Sequence, residues 1–283
     1  MVTSLEVPLP TGQENKKPDG GKQDDGEKKE EDNREITEGD DREKTEEEEK
    51  EARKKIRDEE HKRWLMFYTA RMRHIVPGLV LGNVQASFNP DMLRENGIDA
   101  IVTLCADRYA KWKSHTRKVV PEHRHKRVQC ADSSTQDLLT HMSDTCDFIE
   151  QMASPALRSS STLPKAEEHE LSDDSRTARP GAVLVHCVLG ISRSPTMIIA
   201  YLMRKYGIKR EDALAFVMTK QRVKPSANFT RQLEIWEEVG YQVWEDEERT
   251  IPKAPYQAFL DDRAALLKKL GLTGDEPLTL LTL

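Results

Sequence analysis

Cysteine is scarce in this chain: there are four in 283 residues (Cys105, Cys130, Cys146 and Cys187), and no two are spaced as Cys-x-x-Cys. That excludes a disulfide scaffold and argues against a structural zinc, so no metal and no cofactor are expected. A reducing compartment, cytoplasmic and/or nuclear, is the expected location. Apolar runs of about 18 residues are also missing, so neither a bilayer-spanning helix nor a membrane partner is expected. The opening Met1-Val2-Thr3-Ser4-Leu5-Glu6 lacks the basic start and apolar core of a signal peptide. Aromatic residues make up only 6% of the chain, and residues 1–60 have none.

That aromatic gap coincides with an excess of acid. Residues 1–60 hold 22 Asp/Glu against 13 Lys/Arg and eight residues of the apolar set. The net charge there is −9, against −6 for the whole chain, which leaves about +3 for the rest. So polar a segment cannot bury enough apolar surface to offset the entropy of ordering its backbone. Residues 1–60 are therefore expected to be a disordered acidic tail, with Glu46 to Glu60 able to form a charged helix. The folded domain is expected over 61–245, and a C-terminal helix and tail over 246–283.

Order begins near Trp64-Leu65-Met66-Phe67-Tyr68, read as a helix packed on the domain. Pro77-Gly78 makes a turn before a short strand, Leu79-Val80-Leu81. Asn89-Pro90-Asp91 opens a helix that stops at Gly97. The nearly continuous apolar run from Ile98 to Cys105 reads as a buried strand, as do Val128-Gln129-Cys130-Ala131 and Gly181 to His186. Leu138, Leu139, Met142, Cys146 and Ile149 mark one face of a helix. Residues 154–180, rich in Ser, Pro and charge, read as a mobile loop. Ser194-Pro195 opens a helix that is apolar nearly all round, hence central and covered. Further helices are expected around 209–221, 227–238 and 254–270. Strands separated by helices make the fold class α/β.

The chemistry concentrates in His186-Cys187-Val188-Leu189-Gly190-Ile191-Ser192-Arg193-Ser194, between an apolar strand and an apolar helix. Backbone N–H groups of a tight loop and the positive end of a helix converge there on one point, which suits an anion. Gly190 lets the loop turn without a Cβ clash. A free thiol with a pKa of ~8.5 is mostly protonated at neutral pH, but such surroundings lower it and make Cys187 a thiolate nucleophile. The planar fork of Arg193 can hold two phosphate oxygens. Ser194 can donate to the sulfur and help it leave. The phosphate-binding residues are then Val188, Leu189, Gly190, Ile191, Ser192 and Arg193, with His186 in support. The bland alternative, a buried structural thiol beside an unrelated arginine, fits a lone Cys better than it fits this combination.

These residues resemble the cysteine-based dual-specificity protein phosphatases, whose signature is His-Cys, five residues, then Arg-Ser. The resemblance covers roughly residues 75–240, about 60% of the chain. It includes Ile75-Val76-Pro77-Gly78-Leu79-Val80-Leu81-Gly82, Ala200-Tyr201-Leu202-Met203, Phe229 and Gln232-Leu233. The spacing is most similar to the small atypical members and to the Styx-type pseudophosphatases, which lack the nucleophile that this chain keeps. The resemblance implies a protein-tyrosine-phosphatase-like central sheet with helices on both faces and a phosphocysteine intermediate without metal. It also implies a general acid just after the second strand, favouring Asp132 over Asp137, which sits where a helix cap would. Where the family has an Asn that braces the phosphate loop, this chain has Ser226. Cys105 is similar in position to a second cysteine of the tensin-homologue phosphatase, implying a reversible disulfide with oxidised Cys187; a buried core thiol is the alternative.

Phosphoprotein substrates, carrying phosphotyrosine or phosphoserine/threonine, are the expected partners of a monomer. Val188, Leu189 and Ile191 bring no charge to the loop, unlike the lysines of phosphoinositide phosphatases. RNA 5′-triphosphatases usually have Asn-Arg-Thr where Ser192-Arg193-Ser194 stands. No nucleic-acid partner is expected, because the domain is near neutral and only Tyr109 and Trp112 interleave the basic residues of 108–127. A phosphate-recognition module without turnover, and a phosphatase of RNA 5′ ends or another non-protein phosphate, remain the alternatives.

Overall fold

The computed structural model describes residues 49–62, 65, 68–106, 116–164 and 181–276. The chain divides into two units, Met1–Glu60 and His61–Leu283. Of the first, residues 49–60 are described. They are helical (α1) and exposed, with Arg53 paired to Glu49 one turn earlier. Most of the tail expected to be disordered lies outside the described residues, as do 165–180 of the expected mobile loop.

In the second unit a five-stranded sheet has the order β1-β2-β5-β3-β4. The strands are β1 (Met72–Val76), β2 (Leu79–Asn83), β3 (Ile98–Leu104), β4 (His125–Val128) and β5 (Ala182–Cys187). Pro77-Gly78 does form the turn, with Gly78 at φ 84, a left-handed conformation that glycine adopts without strain. It closes a hairpin whose first strand, Met72-Arg73-His74-Ile75-Val76, the sequence pattern does not announce. β1 pairs antiparallel with β2, and every other pairing is parallel. The carboxyl ends of β2, β5, β3 and β4 therefore lie along one edge, where ligands of open α/β sheets bind.

The strand expected at Val128–Ala131 forms three residues earlier, at His125–Val128. It lies at the end of the sheet and pairs only with β3. One-sided pairing tolerates His-Lys-Arg, which an apolar-run reading passes over. Gln129, Cys130 and Ala131 instead lead the chain out over the edge.

Six helices follow the expected spans closely: α3 (Pro90–Glu95), α4 (Leu139–Met152), α6 (Arg193–Tyr206), α7 (Arg210–Lys220), α8 (Ala227–Glu238) and α9 (Ala254–Leu270). The short α2 (Val84–Ser87) and α5 (Pro155–Ser159) were not expected. The short α5 occupies the start of the expected loop, with Pro155 in its first turn and Ser154 as its cap. Of the first aromatic cluster, Leu65 and Tyr68 are exposed, and Trp64, Met66 and Phe67 lie outside the described residues.

β5, between β2 and β3, is buried along its whole length. Val183, Val185 and Cys187 face a large apolar cluster built with α4, α6, α8 and α9. Ala182 and Leu184 face a smaller one with Leu93 of α3 and Val120. Helices thus cover both faces, and the strand's period of two explains the alternation. Every residue of α6 from Arg193 to Met203 is buried, as its all-round apolar character predicts. Each fully buried aliphatic side chain contributes roughly 1.5–3 kcal/mol, so the burial of this strand–helix pair anchors it firmly in the core.

Candidate active site

β5 ends at Cys187 and α6 begins at Arg193, so the loop 188–192 is anchored at both ends by buried elements. Four successive carbonyls of that loop accept hydrogen bonds from outside it. Val84 N donates to Val188 O at 3.2 Å, and Lys224 N donates to Ile191 O at 2.8 Å. Arg71 Nη2 donates to Leu189 O at 3.1 Å, and Gln221 Nε2 donates to Gly190 O at 2.9 Å. A trans peptide is planar, with its N–H opposed to its C=O. Drawing the carbonyls of 188–191 outward therefore turns the N–H groups of Leu189, Gly190, Ile191 and Ser192 inward. The outward ties shape the loop into a concave array of donors.

Gly190 is required twice over. Its φ is 73, and a Cβ would lie 2.7 Å from Gly82 O. α6 also keeps its first turn open: the cap, Ser192, makes no side-chain capping bond. The Ser192 hydroxyl donates instead to Asp132 Oδ1 at 2.9 Å. The uncapped N–H groups and the helix dipole are left to an anion.

Cys187 Sγ lies within this array, accepting from Gly190 N at 3.2 Å and from Ser194 Oγ at 3.3 Å. Burial on its own would push the thiol up. The Arg193 guanidinium and the hydrogen bonds from Ser194 and Gly190 outweigh it, and hold the thiol below its ordinary value. Arg193 is itself buried, which opposes its charge, but the facing Cys187 sulfur more than restores it. Its Nη1 donates to Cys130 O at 3.0 Å, and its Nε stands 3.6 Å from Asp132 Oδ2. That Nε has no hydrogen-bond partner among the described residues.

The two candidate carboxylates separate clearly. Asp132 lies at the mouth, its side chain 37% exposed, between Ser192 and Arg193. Asp137 accepts from Thr140 N at 3.3 Å at the start of α4 and from Tyr256 Oη at 2.7 Å. It is a helix-end and packing residue, as its position suggests.

His186 is fully buried, and burial pushes its imidazole down to about 4, so it is neutral at physiological pH. Its Nδ1 lies 3.4 Å from the Cys187 carbonyl, an acceptor, so Nδ1 carries the proton. Nε2 must then accept from Thr103 Oγ1 at 2.8 Å. Having donated there, Thr103 accepts from His125 Nε2, also at 2.8 Å. A directed chain from β4 through β3 thus fixes the residue before Cys187.

Ser226 does not reach the loop. It caps α8, accepting from Phe229 N at 3.3 Å, and the late segment grips the loop through Gln221 and Lys224 instead. Asn228 supports the other wall, donating to Ser133 O at 3.0 Å and Gln136 O at 2.8 Å behind Asp132. Cys105 is buried one residue beyond β3, in the same apolar cluster as Cys130 and Cys187, and all four cysteines are free thiols. Of the basic stretch, 107–115 lies outside the described residues. Arg117 pairs with Glu122, and Arg124 Nε donates to Asp99 O at 2.7 Å, so these two cations serve the surface and the sheet. Among the described residues no group of three His, Cys, Asp or Glu could hold a metal ion, and no helix is long and apolar enough to cross a membrane.

Sequence reasoning missed Arg71, Thr103, His125, Gln221 and Asn228. Each acts through side-chain hydrogen bonds to a distant segment, and none belongs to a local motif.

A buried strand, a loop tied outward through its carbonyls and a buried helix surround the Cys187 thiol. Residues 171–239 match the family model described as dual specificity phosphatase, catalytic domain. Dual specificity protein phosphatase 22-A of Danio rerio is 29% identical over 177 residues, 61% of this chain and 70% of that protein. Dual specificity protein phosphatase MPK-4 of Drosophila melanogaster is 30% identical over 167 residues, 59% of this chain but only 36% of that protein. Among solved structures, the human tyrosine phosphatase-like serine/threonine/tyrosine-interacting protein is 27% identical, with a TM-score of 0.47 over 59% of this chain and 96% of that one. The chain is thus similar to small dual-specificity phosphatases over about 60% of its length, and it combines a central five-stranded sheet with helices on both faces.

Proposed function

We propose that the protein is a phosphoprotein phosphatase that hydrolyses phosphotyrosine and phosphoserine/threonine through a phosphocysteine intermediate. The carrying observation is the state of Cys187: a fully buried sulfur that burial would neutralise is held toward the thiolate by Arg193, Ser194 and Gly190. The kinship to dual-specificity and tyrosine phosphatases supports phosphatase activity.

In the first step the phosphoryl group sits on the inward N–H groups of 189–192, with Arg193 on two of its oxygens. Cys187 Sγ attacks phosphorus in line with the departing oxygen, the P–O bond breaks, and Asp132 gives its proton to the leaving alkoxide or phenoxide. In the second step Asp132 takes a proton from water as that water attacks phosphorus. The S–P bond breaks, and the thiolate leaves with the Ser194 hydroxyl donating to it. The array of donors meets the charge that spreads over the equatorial oxygens, where electrostatic stabilisation of the transition state is largest.

Hydrolysis of a small aryl phosphate and of phosphotyrosine and phosphothreonine peptides tests this reading. Turnover by the wild type, none by Cys187→Ser, and a product-release burst from trapped phosphocysteine are expected. Binding without turnover by the wild type would leave a phosphate-recognition module instead.

A further inference from the structure

Asp132 stands on a stretch without helix or strand, residues 129–138, between β4 and α4. No ladder holds such a segment, so its backbone groups need partners from elsewhere. Gln136 Oε1 accepts from Ala131 N at 2.8 Å and closes the stretch on itself. From α8, Asn228 donates to the carbonyls of Ser133 and Gln136, and Gln232 Nε2 donates to that of Gln136 at 2.8 Å. From α9, Arg263 Nε donates to Thr135 O at 2.7 Å, and Tyr256 Oη donates to Asp137 Oδ2 at 2.7 Å.

The contribution of α9 comes from outside the match to the family model, which stops at residue 239. Tyr256, Phe259 and Arg263 follow one another at helical spacing and share one face of α9. Tyr256 and Phe259 are buried in the large apolar cluster, and Trp244 meets the Tyr256 ring edge-on at 5.3 Å. Arg231 of α8 pairs with Asp262 and lies 5.7 Å from the centre of the Phe259 ring. The face that docks the helix is therefore the face that aims Arg263 at the acid loop. Thr135 is buried, so its carbonyl needs that donor, and a guanidinium makes the bond of the stronger, charge-assisted kind.

We propose that α9 braces the acid loop and that Arg263 is a positioning residue, which holds Asp132 where it meets Ser192 and Arg193. It touches neither substrate nor sulfur and acts through the Thr135 carbonyl, three residues from Asp132. This rests on the reading of Asp132 as the general acid. A displaced Asp132 leaves Cys187 and Arg193 in place, so attack at phosphorus survives and delivery of the proton to the leaving oxygen is lost. The loss falls on poor leaving groups, because a strongly acidic phenol departs as its anion without that proton. A misplacement of about 1 Å can cost on the order of 10²-fold in rate.

Kinetics of the full chain on aryl phosphates, from strongly to weakly acidic phenols, test the brace in wild type, R263A, R263K, D132N and D132N/R263A. R263A is expected to lower kcat/KM about tenfold for the least acidic phenol and less than about twofold for the most acidic one. R263K should restore most of the loss. In the D132N background R263A should cost nothing further, because changes that act through one group are not additive. A loss in R263A that is equal for all phenols, or that persists in full beside D132N, would overturn the brace and leave the acid assignment standing. A D132N loss that ignores the leaving group would overturn the acid assignment and the brace with it. Amide hydrogen exchange reads the same contact without turnover. Exchange at 131–137 should rise roughly tenfold or more in R263A, with β5 and α6 unchanged. Unchanged exchange at 131–137 would overturn the brace whether or not any phosphate is hydrolysed, and so would an equal rise across β5 and α6.

Discussion

Cys187 at the end of β5 and Cys146 in the middle of α4 are buried to nearly the same degree, 1% and 2% exposed, yet burial leads them to opposite outcomes. In α4 burial pushes the Cys146 thiol up to about 12. At the loop the same burial is outweighed by one guanidinium and three hydrogen bonds, and the Cys187 thiol is lowered. The helix cysteine has its backbone N–H consumed within the helix and neighbours Met142 and Ile149 on the buried face of α4. The loop cysteine sits where outward ties on four carbonyls free four N–H groups. What separates the two sulfurs is what faces them, the Arg193 guanidinium first and then the hydrogen bonds from Ser194 and Gly190, and not their depth.

The largest break in this comparison is substitution of the two sulfurs. Cys187→Ser should lower kcat by about 10⁴-fold or more, since a nucleophile knocked out alone removes most of the catalysis. Cys146→Ser should leave kcat within a few-fold and cost stability only, on the order of 1–2 kcal/mol for a buried hydroxyl. Steady-state kinetics with an aryl phosphate and a thermal melt read both.

The two aspartates come next. Asp132→Asn is expected to reduce kcat on alkyl phosphates by roughly 10²–10⁴-fold, the range of a general acid. Asp137→Ala should keep kcat within a few-fold while losing about 1–2 kcal/mol of stability through the helix end and the Tyr256 contact. A kcat loss of equal size in both would remove the distinction that their geometry draws.

These two pairs also show what the sequence carried and what it did not. The loop was legible because its pattern is local: Cys, Gly and Arg lie within seven residues, between elements whose periodicity is unmistakable. Both aspartates were visible as carboxylates near the second strand, and the resemblance already favoured Asp132. The contacts with Ser192 and Arg193 now give that preference a geometry. The edge strand β4 was misplaced because one-sided pairing lets His-Lys-Arg stand where apolar residues were sought. Arg71 and Gln221 were invisible, because their value lies in carbonyls 118 and 31 residues away.

A smaller effect concerns pH. His186 is about 4 in the folded protein and near 6.5 when unfolded, so folding favours its neutral form. That contribution is fully present above about pH 6.5 and is lost as pH falls through 4, roughly 3 kcal/mol in all. Melts of wild type and His186→Gln over that window should converge as the acid limit is approached.

Smallest is the loop tie. Gln221→Ala removes the donor to Gly190 O and should cost about 1 kcal/mol, expressed as a several-fold loss of kcat/KM with little change in melting temperature. An unchanged kcat/KM would mean that the remaining three ties hold the loop by themselves.

The central claim is that the loop makes Cys187 a thiolate. Its direct test is the ultraviolet thiolate absorbance of the wild type minus that of Cys187→Ser, followed across pH in the native protein. The account predicts one difference titration with its midpoint below the ordinary thiol value of ~8.5, moving upward in Ser194→Ala. A midpoint at or above ~8.5, or one that Ser194→Ala leaves in place, would contradict it.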